Sequence, residues 1–158
     1  MNKLFPLDIG MSRMLGIIKI IKENGNRMDL AKLAEESEID IDSLLPLIEA
    51  CDMLGFTKTK DSRITLTKEG ESITVRNRSK IIKAKLEAIE PFKSTAEILS
   101  KKEMSSEELF DSLGTMGFVF HGEKQRNHEI LKGLLVDWGV RTKLLRYDPE
   151  NDTWSNSK

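Results

Sequence analysis

The sequence contains little of what several protein classes require. Cys51 is the single cysteine among 158 residues, which excludes an internal disulfide and a thiolate-rich zinc site. Its apolar runs fall far short of the roughly 20 residues of a bilayer-spanning helix, and residues 1–20 lack the pattern of a secretory signal. Phosphate-loop and dinucleotide-binding glycine motifs are also missing. We therefore predict a cytoplasmic protein that holds no cofactor and inserts no segment into a membrane.

The chain has no large excess of charge of either sign, because its 25 basic residues are balanced by 26 acidic ones. Nucleic-acid-binding proteins usually carry a basic surplus, so the overall composition does not favour a nucleic-acid partner. The charges are nevertheless segregated along the chain. Residues 61–102 carry a net charge of +4, whereas residues 1–60 carry −2 and residues 103–158 carry −3. A polyanion contact, if there is one, is expected in the middle of the chain.

The first half of the chain has the pattern of three helices followed by a hairpin. Apolar residues at i, i+3, i+4 and i+7 from Met14 predict a helix that ends at Asn24–Asn26. Asp29 is expected to cap a short second helix, and Asp40 or Asp42 a third one over 43–54. Alternating β-branched residues on both sides of a turn at 61–62 predict the hairpin. This order is typical of a winged helix-turn-helix domain.

The second half repeats the order of helices and a hairpin without a residue-level repeat. Its predicted elements are a basic helix over 76–85, helices over 92–102, from Ser105 and over 123–138, and a hairpin around 149–152. Ser105 and Glu108 form a capping-box pattern, and Gly139 is expected to end the last helix. The predicted fold class is mainly α with short β-hairpins, arranged as tandem winged helix-turn-helix domains over 9–78 and 79–158. Residues 1–8 are expected to be a short tail.

Several segments resemble the C-terminal AAA-associated domain family. They are Met14–Ile18, Gly25–Ala34, Asp42–Ala50, Leu54–Phe56, Ile64–Gly70, Val136–Gly139 and Leu145–Asp148. That family follows the ATPase of nitrate, sulfonate and taurine-type ABC importers, and it also occurs as free-standing proteins, many of them archaeal. The resemblance implies a free-standing accessory module rather than an enzyme, and it supplies no catalytic residues.

The side chains offer little for catalysis or metal binding. His121 and His128 are the only histidines, and Gly122 is expected to separate them. Cys51 lies on the inward side of the third helix, beside acidic neighbours that disfavour a thiolate nucleophile. We therefore predict no catalytic residues, no metal site and no enzymatic activity.

Nucleic-acid contact is predicted away from the helix that would normally read DNA. The third helix has no Lys or Arg from Ile39 to Phe56, and its carboxylates would repel phosphates. The candidate contacts to nucleic acid or an acidic partner are Lys58, Lys60, Arg63, Arg76, Arg78, Lys80, Lys83, Lys124, Arg126 and Asn127. Arg126 and Asn127 are side-chain types that read base edges. The same residues are also compatible with a solvated helix surface.

Protein contact is the alternative use of these surfaces. The glycine-flanked apolar segment Phe118, Val119 and Phe120 is the candidate contact patch. Two functions follow from the sequence. The first is a regulatory or adaptor module whose partner is a protein, either a transporter ATPase or a second copy of the chain. The second is a DNA-binding transcriptional regulator, which is expected to be a homodimer.

Overall fold

A computed structural model describes residues 4–6 and 10–157 of the chain. These residues form two units, one of residues 10–78 and one of residues 79–157 with residues 4–6. The described part is mainly helical with two small antiparallel sheets, which confirms the predicted mainly α class with short hairpins. None of its helices combines the length and apolar character that crossing a membrane requires. Ile9 and Lys158, which bound the two predicted domains, lie outside the described residues.

Three helices begin the first unit: α1 (Met11–Glu23), α2 (Leu30–Ser37) and α3 (Ile41–Met53). The carboxylate of Asp40 caps α3 by accepting the backbone N–H of Asp42 at 3.0 Å and the hydroxyl of Ser43 at 2.9 Å. The predicted cap of α2 by Asp29 is wrong, because the Asp29 side chain makes no capping hydrogen bond. The apolar sides of the three helices meet in the core, where the buried residues are Met11, Met14, Ile17, Ile18, Ile21, Leu33, Leu44, Leu47, Ile48, Ala50, Cys51 and Leu54.

A three-stranded antiparallel sheet completes the first unit. The predicted hairpin is present as β2 (Thr57–Lys60) and β3 (Arg63–Leu66), and both turn residues have positive φ, 51° at Asp61 and 62° at Ser62. The sequence pattern did not reveal a further short strand, β1 (Arg27–Asp29), which pairs with β3 to give the order β1-β3-β2. Three residues are too few to show alternation, so only their pairing with β3 reveals them as a strand.

A short helix, α4 (Lys68–Ser72), follows the sheet. The hydroxyl of Thr67 caps it by accepting the backbone N–H of Gly70 at 3.1 Å. Gly70 is buried against the turn between α3 and β2, where a Cβ atom would overlap the carbonyl oxygen of Phe56. This position therefore needs glycine for close backbone packing.

Four α-helices form most of the second unit. They are α5 (Arg78–Leu86), α6 (Phe92–Lys101), α7 (Ser106–Thr115) and α8 (Lys124–Leu134). The predicted capping box is present at the start of α7, where Ser105 and Glu108 bond each other's backbone N–H groups. A π-helical turn, Leu135–Val140, extends α8 toward the hairpin.

The second hairpin consists of β4 (Leu145–Asp148) and β5 (Thr153–Asn156). On the side of β5 away from β4, a single residue pairs with the hairpin. This residue is Met104, which lies between α6 and α7 and pairs antiparallel with Trp154. Two backbone hydrogen bonds join them, from the N–H of Met104 at 3.1 Å and from the N–H of Trp154 at 2.7 Å. The hairpin is thus tied to the segment between two helices.

The N-terminal residues contribute to the core of this unit. Phe5 is fully buried, and its ring lies edge-on to Trp138 at 4.7 Å and to Phe92 at 5.6 Å between ring centroids. The prediction of a short tail is therefore wrong for residues 4–6, because the aromatic ring of Phe5 packs against distant aromatic side chains. The rest of that segment lies outside the described residues.

Three element boundaries differ from the sequence prediction. Helix α3 begins at Ile41 instead of the predicted residue 43, because Asp40 caps it. Arg76 precedes α5 and lies in the turn that leads into it. Gly139 does not end the last helix but lies inside the π-helical turn, where a Cβ atom would come within 2.6 Å of the Leu145 side chain. Close packing, rather than helix termination, explains that glycine.

Candidate contact surfaces

The outer face of the three-stranded sheet presents basic side chains in register. Met28 and Ile64 point into the core, so the residues that alternate with them face solvent. The pairing places Arg27, Thr65 and Lys58 in one row across the strands and Asp29, Arg63 and Lys60 in the next. The sequence predicted Lys58, Lys60 and Arg63, and the structure brings these three together.

Two further cations join this surface. A shallow groove of about 890 Å³ runs along the outer face, and its lining includes Arg27 on β1 and Lys68 at the start of α4. We call Arg27, Lys58, Lys60, Arg63 and Lys68 the basic sheet face. Lys68 belongs to the basic middle of the chain, whereas sequence reasoning missed Arg27, because its place on this face depends on the pairing of β1 with β3.

The basic sheet face contains two acidic residues. The Nε atom of Arg63 lies 3.3 Å from Oδ1 of Asp29, and both side chains are well exposed. Such a surface ion pair adds little stability. Asp61 lies at the tip of the hairpin. The five cations therefore outnumber the acids that line the groove.

Helix α3 presents a surface of the opposite character. Its exposed apolar residues are Ile41, 43% exposed, and Leu45, 48% exposed, which are four positions apart and so lie on one side of the helix. Asp42 and Glu49 are exposed on the same helix. Residues 33–57 contain seven acids and no Lys or Arg. The exposed carboxylates of α3 are consistent with the prediction that this helix does not contact phosphates.

Four predicted basic residues lie around the start of α5. Arg76 is exposed in the preceding turn, and Arg78 is the first residue of α5. At 3.6 residues per turn, Arg78 and Lys80 lie on opposite sides of α5, whereas Lys80 and Lys83 share a side. These residues therefore do not form a single basic stripe along the helix.

The start of α8 presents polar side chains, as predicted. Gln125 and Arg126 are exposed. The Nζ atom of Lys124 lies 3.3 Å from Oδ1 of Asp111 on α7, and the Nε2 atom of His128 lies 3.1 Å from the same oxygen. Asp111 thus joins α7 to α8 and offsets part of the positive charge that the sequence suggested here.

Asn127 is not available to a nucleic acid, so that part of the prediction is wrong. Its side chain is only 5% exposed. Its carbonyl oxygen accepts the backbone N–H groups of Phe120 at 2.6 Å and His121 at 3.2 Å, and its amide donates to the carbonyl of Phe118 at 3.3 Å. The residue holds the preceding loop in place instead of pointing to solvent.

The loop that Asn127 holds presents the predicted apolar patch. Val119 is 55% exposed, and Phe118 and Phe120 are half-buried. Met116, just before them, is 51% exposed. These apolar side chains are displayed by a loop whose backbone is fixed by hydrogen bonds, and their role in protein contact stays a prediction.

The candidates for chemistry are Cys51 and the two histidines, His121 and His128. Cys51 is fully buried on α3, and burial, reinforced by the neighbouring Asp52 carboxylate, raises the pKa of its thiol far above the ordinary value. The Nδ1 atom of His121 accepts the backbone N–H of Glu123 at 3.0 Å. Among residues 4–6 and 10–157, no group of three His, Cys, Asp or Glu side chains is placed to hold a metal ion.

Comparison with known proteins gives one match. The sequence model of the C-terminal AAA-associated domain matches residues 31–148, which is more than half of the chain. No curated protein and no solved structure matches.

Proposed function

Since this chain belongs to the C-terminal AAA-associated domain family, we propose that it is a non-enzymatic regulatory or adaptor module. It acts through protein contacts on an ATPase of the AAA or ABC-transporter type. The family description supports the ATPase setting, and the surface of α3 supports protein contact.

We further propose that residues 9–78 and 79–158 are two winged-helix domains. In the first unit a helix, β1, two helices and the β2–β3 hairpin follow one another, and Met28 of β1 pairs with Ile64. In the second unit α6, Met104, α7, α8 and the β4–β5 hairpin follow in the same order, and Met104 pairs with Trp154. The single bridge at Met104 thus corresponds to strand β1, which supports a diverged repeat of one architecture.

The observation that carries the proposed protein contact is the exposed side of α3. In a DNA-reading winged helix this element enters the major groove. Here it offers Ile41 and Leu45 among carboxylates, and neighbouring exposed apolar side chains rimmed by polar residues are typical of protein interaction sites. Pro46 has no backbone N–H, so the carbonyl oxygen of Asp42 lacks the donor that a helix normally supplies. This leaves a hydrogen-bond acceptor on the same helix for a partner protein.

The test uses purified AAA-type and ABC-type ATPases from the organism that encodes the chain. Calorimetry measures the binding of each to wild type, to Leu45→Gln and to Val75→Gln, since Val75 is another exposed apolar residue of the same unit. We expect one ATPase to bind and Leu45→Gln to weaken it about tenfold, or about 1.4 kcal/mol. Absence of binding, or equal weakening by Val75→Gln, would contradict the proposal.

A DNA-binding transcriptional regulator is the second candidate function. The observation in its favour is the exposure of Gln125 and Arg126 at the start of α8, which is the third helix of the proposed second domain. Arg126 has the side chain that reads guanine most often. Selection of bound sequences from a randomised duplex pool tests this function. We expect wild type to enrich a defined sequence and Arg126→Ala to enrich a less defined one. If no sequence is enriched, base reading by α8 is excluded.

A further inference from the structure

We propose that the basic sheet face binds the phosphate backbone of duplex nucleic acid without reading its sequence. The site goes beyond the protein contacts assigned to α3. It also does not depend on base reading by α8, because it lies in the first unit and uses strands rather than a helix.

The strand register supplies the geometry of the site. Neighbouring strands lie about 4.8 Å apart, and residues two apart along a strand are separated by about 6.7 Å. The rows Arg27–Thr65–Lys58 and Asp29–Arg63–Lys60 therefore form a compact grid that faces one direction. Hydrogen bonding between the strands fixes this grid, so its cations are brought together without a loss of backbone freedom on binding.

The chemistry of the face distinguishes phosphate from other anionic partners. Its outward side chains are Arg, Lys, Thr and Asp, with no apolar or aromatic residue among them. The anchors of protein interfaces are enriched in Trp and Tyr as well as Arg, and amphipathic segments at a membrane surface bury apolar side chains in addition to their electrostatic attraction. Interfaces with DNA, in contrast, are polar and positively charged. The composition of this face therefore fits a phosphate backbone best.

The same composition favours a duplex over a single strand. Proteins that hold single strands stack the bases on aromatic side chains, and the basic sheet face has none. Base edges in the major groove are normally read by an inserted helix, but α3 carries carboxylates that phosphates repel. Contact is thus limited to the backbone, so binding is independent of sequence.

Fluorescence anisotropy with a labelled DNA duplex tests the site across a range of salt concentrations. Each phosphate contact contributes about −0.9 to the slope of log K against log salt. The variant Lys58→Gln with Lys60→Gln is expected to bind at least about tenfold more weakly at low salt and to flatten the slope by about 2. Lys19→Gln with Lys32→Gln removes the same charge from exposed positions on α1 and α2 and is expected to bind like wild type.

A second test uses a substitution that is expected to strengthen duplex binding. Asp29→Asn removes the carboxylate that pairs with Arg63 and the negative charge in the second row. Asp29 precedes α2 but its side chain makes no capping hydrogen bond, so the helix is expected to tolerate the change. We expect tighter duplex binding and a steeper salt slope.

The outcomes separate this site from its alternatives. Lys58→Arg with Lys60→Arg keeps the charges and is expected to retain binding, which attributes a loss in the Gln variant to the lost charge. A urea midpoint equal to that of wild type shows that the Gln variant is folded. The inference is overturned by any of three results: no duplex binding at low salt, equal loss in both Lys→Gln pairs, or Lys58- and Lys60-dependent binding of poly-glutamate or anionic vesicles in place of the duplex. None of these results bears on ATPase binding through Leu45.

Discussion

Gly70 and Gly16 illustrate how differently two glycines of one unit are used. Gly70 is buried where a Cβ atom would overlap the carbonyl oxygen of Phe56. Gly16 lies exposed inside α1 with no atom near the position of a Cβ. The first is required by packing, whereas the second only weakens its helix.

Alanine at these two positions is therefore expected to act in opposite directions. Gly70→Ala should lower the free energy of unfolding by roughly 3 kcal/mol, because backbone atoms must move apart. Gly16→Ala should raise it by roughly 0.5–1 kcal/mol, because alanine favours the helix. Urea denaturation measures both, and a Gly70→Ala variant as stable as wild type would show that the packing at Phe56 is loose.

Asn127 is the residue whose role changed most between sequence and structure. As an amide next to Arg126 it was predicted to read a base, but its side chain is directed inward to three backbone groups of the 118–121 loop. A buried amide of this kind holds a loop by meeting its hydrogen-bonding needs.

Replacing Asn127 should loosen that loop. Asn127→Ala leaves the N–H groups of Phe120 and His121 without their acceptor, at a cost of about 1–3 kcal/mol in the free energy of unfolding. Hydrogen exchange should show faster exchange at these two amides. Gln125→Ala, an exposed neighbour, should change the stability by less than about 0.5 kcal/mol, and equal effects of the two variants would contradict the assigned role.

At the scale of elements, the start of α7 is joined to the second hairpin by a polar cluster. Asp152 accepts hydrogen bonds from the hydroxyl of Ser106 and from the hydroxyl of Tyr147 at 3.0 Å. The indole N–H of Trp154 donates to the Ser106 hydroxyl at 2.9 Å. The hydrogen bond from Ser106 is the main reason why the pKa of Asp152 lies below its ordinary value of 3.8.

This lowered pKa predicts a dependence of stability on acid. Because the pKa of Asp152 is lower in the folded than in the unfolded chain, its contribution is complete above pH 3.8 and is lost as the pH falls through the folded value. Asp152→Asn should therefore lose less stability than wild type as the pH falls from about 5 to about 2 in urea titrations. Glu150→Gln at the same turn serves as the control, and an unchanged acid sensitivity of Asp152→Asn would refute the link.

The helix and strand boundaries differ in how well the sequence predicts them. The capping box at Ser105 and Glu108 and the cap at Asp40 are confirmed, because a cap bonds groups within one turn of itself. Strand β1 and the π-helical turn at 135–140 were not foreseen. Both depend on contacts with distant segments, β1 with β3 and Gly139 with Leu145.

At the scale of the whole molecule, the chain carries separate natural probes for its two units. Cys51, the single cysteine, is buried among residues 10–78, and both tryptophans, Trp138 and Trp154, are buried among residues 79–157. Thiol labelling and tryptophan fluorescence therefore report on different units.

These probes test whether the two proposed domains are independent. Gly70→Ala should lower the urea concentration at which Cys51 becomes reactive, while the midpoint of the tryptophan transition stays that of wild type. If both transitions shift together, the chain unfolds as one cooperative unit and the proposed boundary near residue 78 does not separate two folding domains.

The sequence by itself determined the helices, the caps at Asp40 and at Ser105 with Glu108, both hairpins, the family and the acidic character of α3, because periodicity, capping and local charge act over a few residues. Only the tertiary structure decided that Phe5 is buried, that Asn127 points inward and that Arg27 joins Lys58 and Lys60 on one face. The near-zero net charge of the chain gives no indication of this cluster of basic side chains. Strand pairing between segments some thirty residues apart creates it, and such pairing depends on the packing of the whole unit rather than on local propensity.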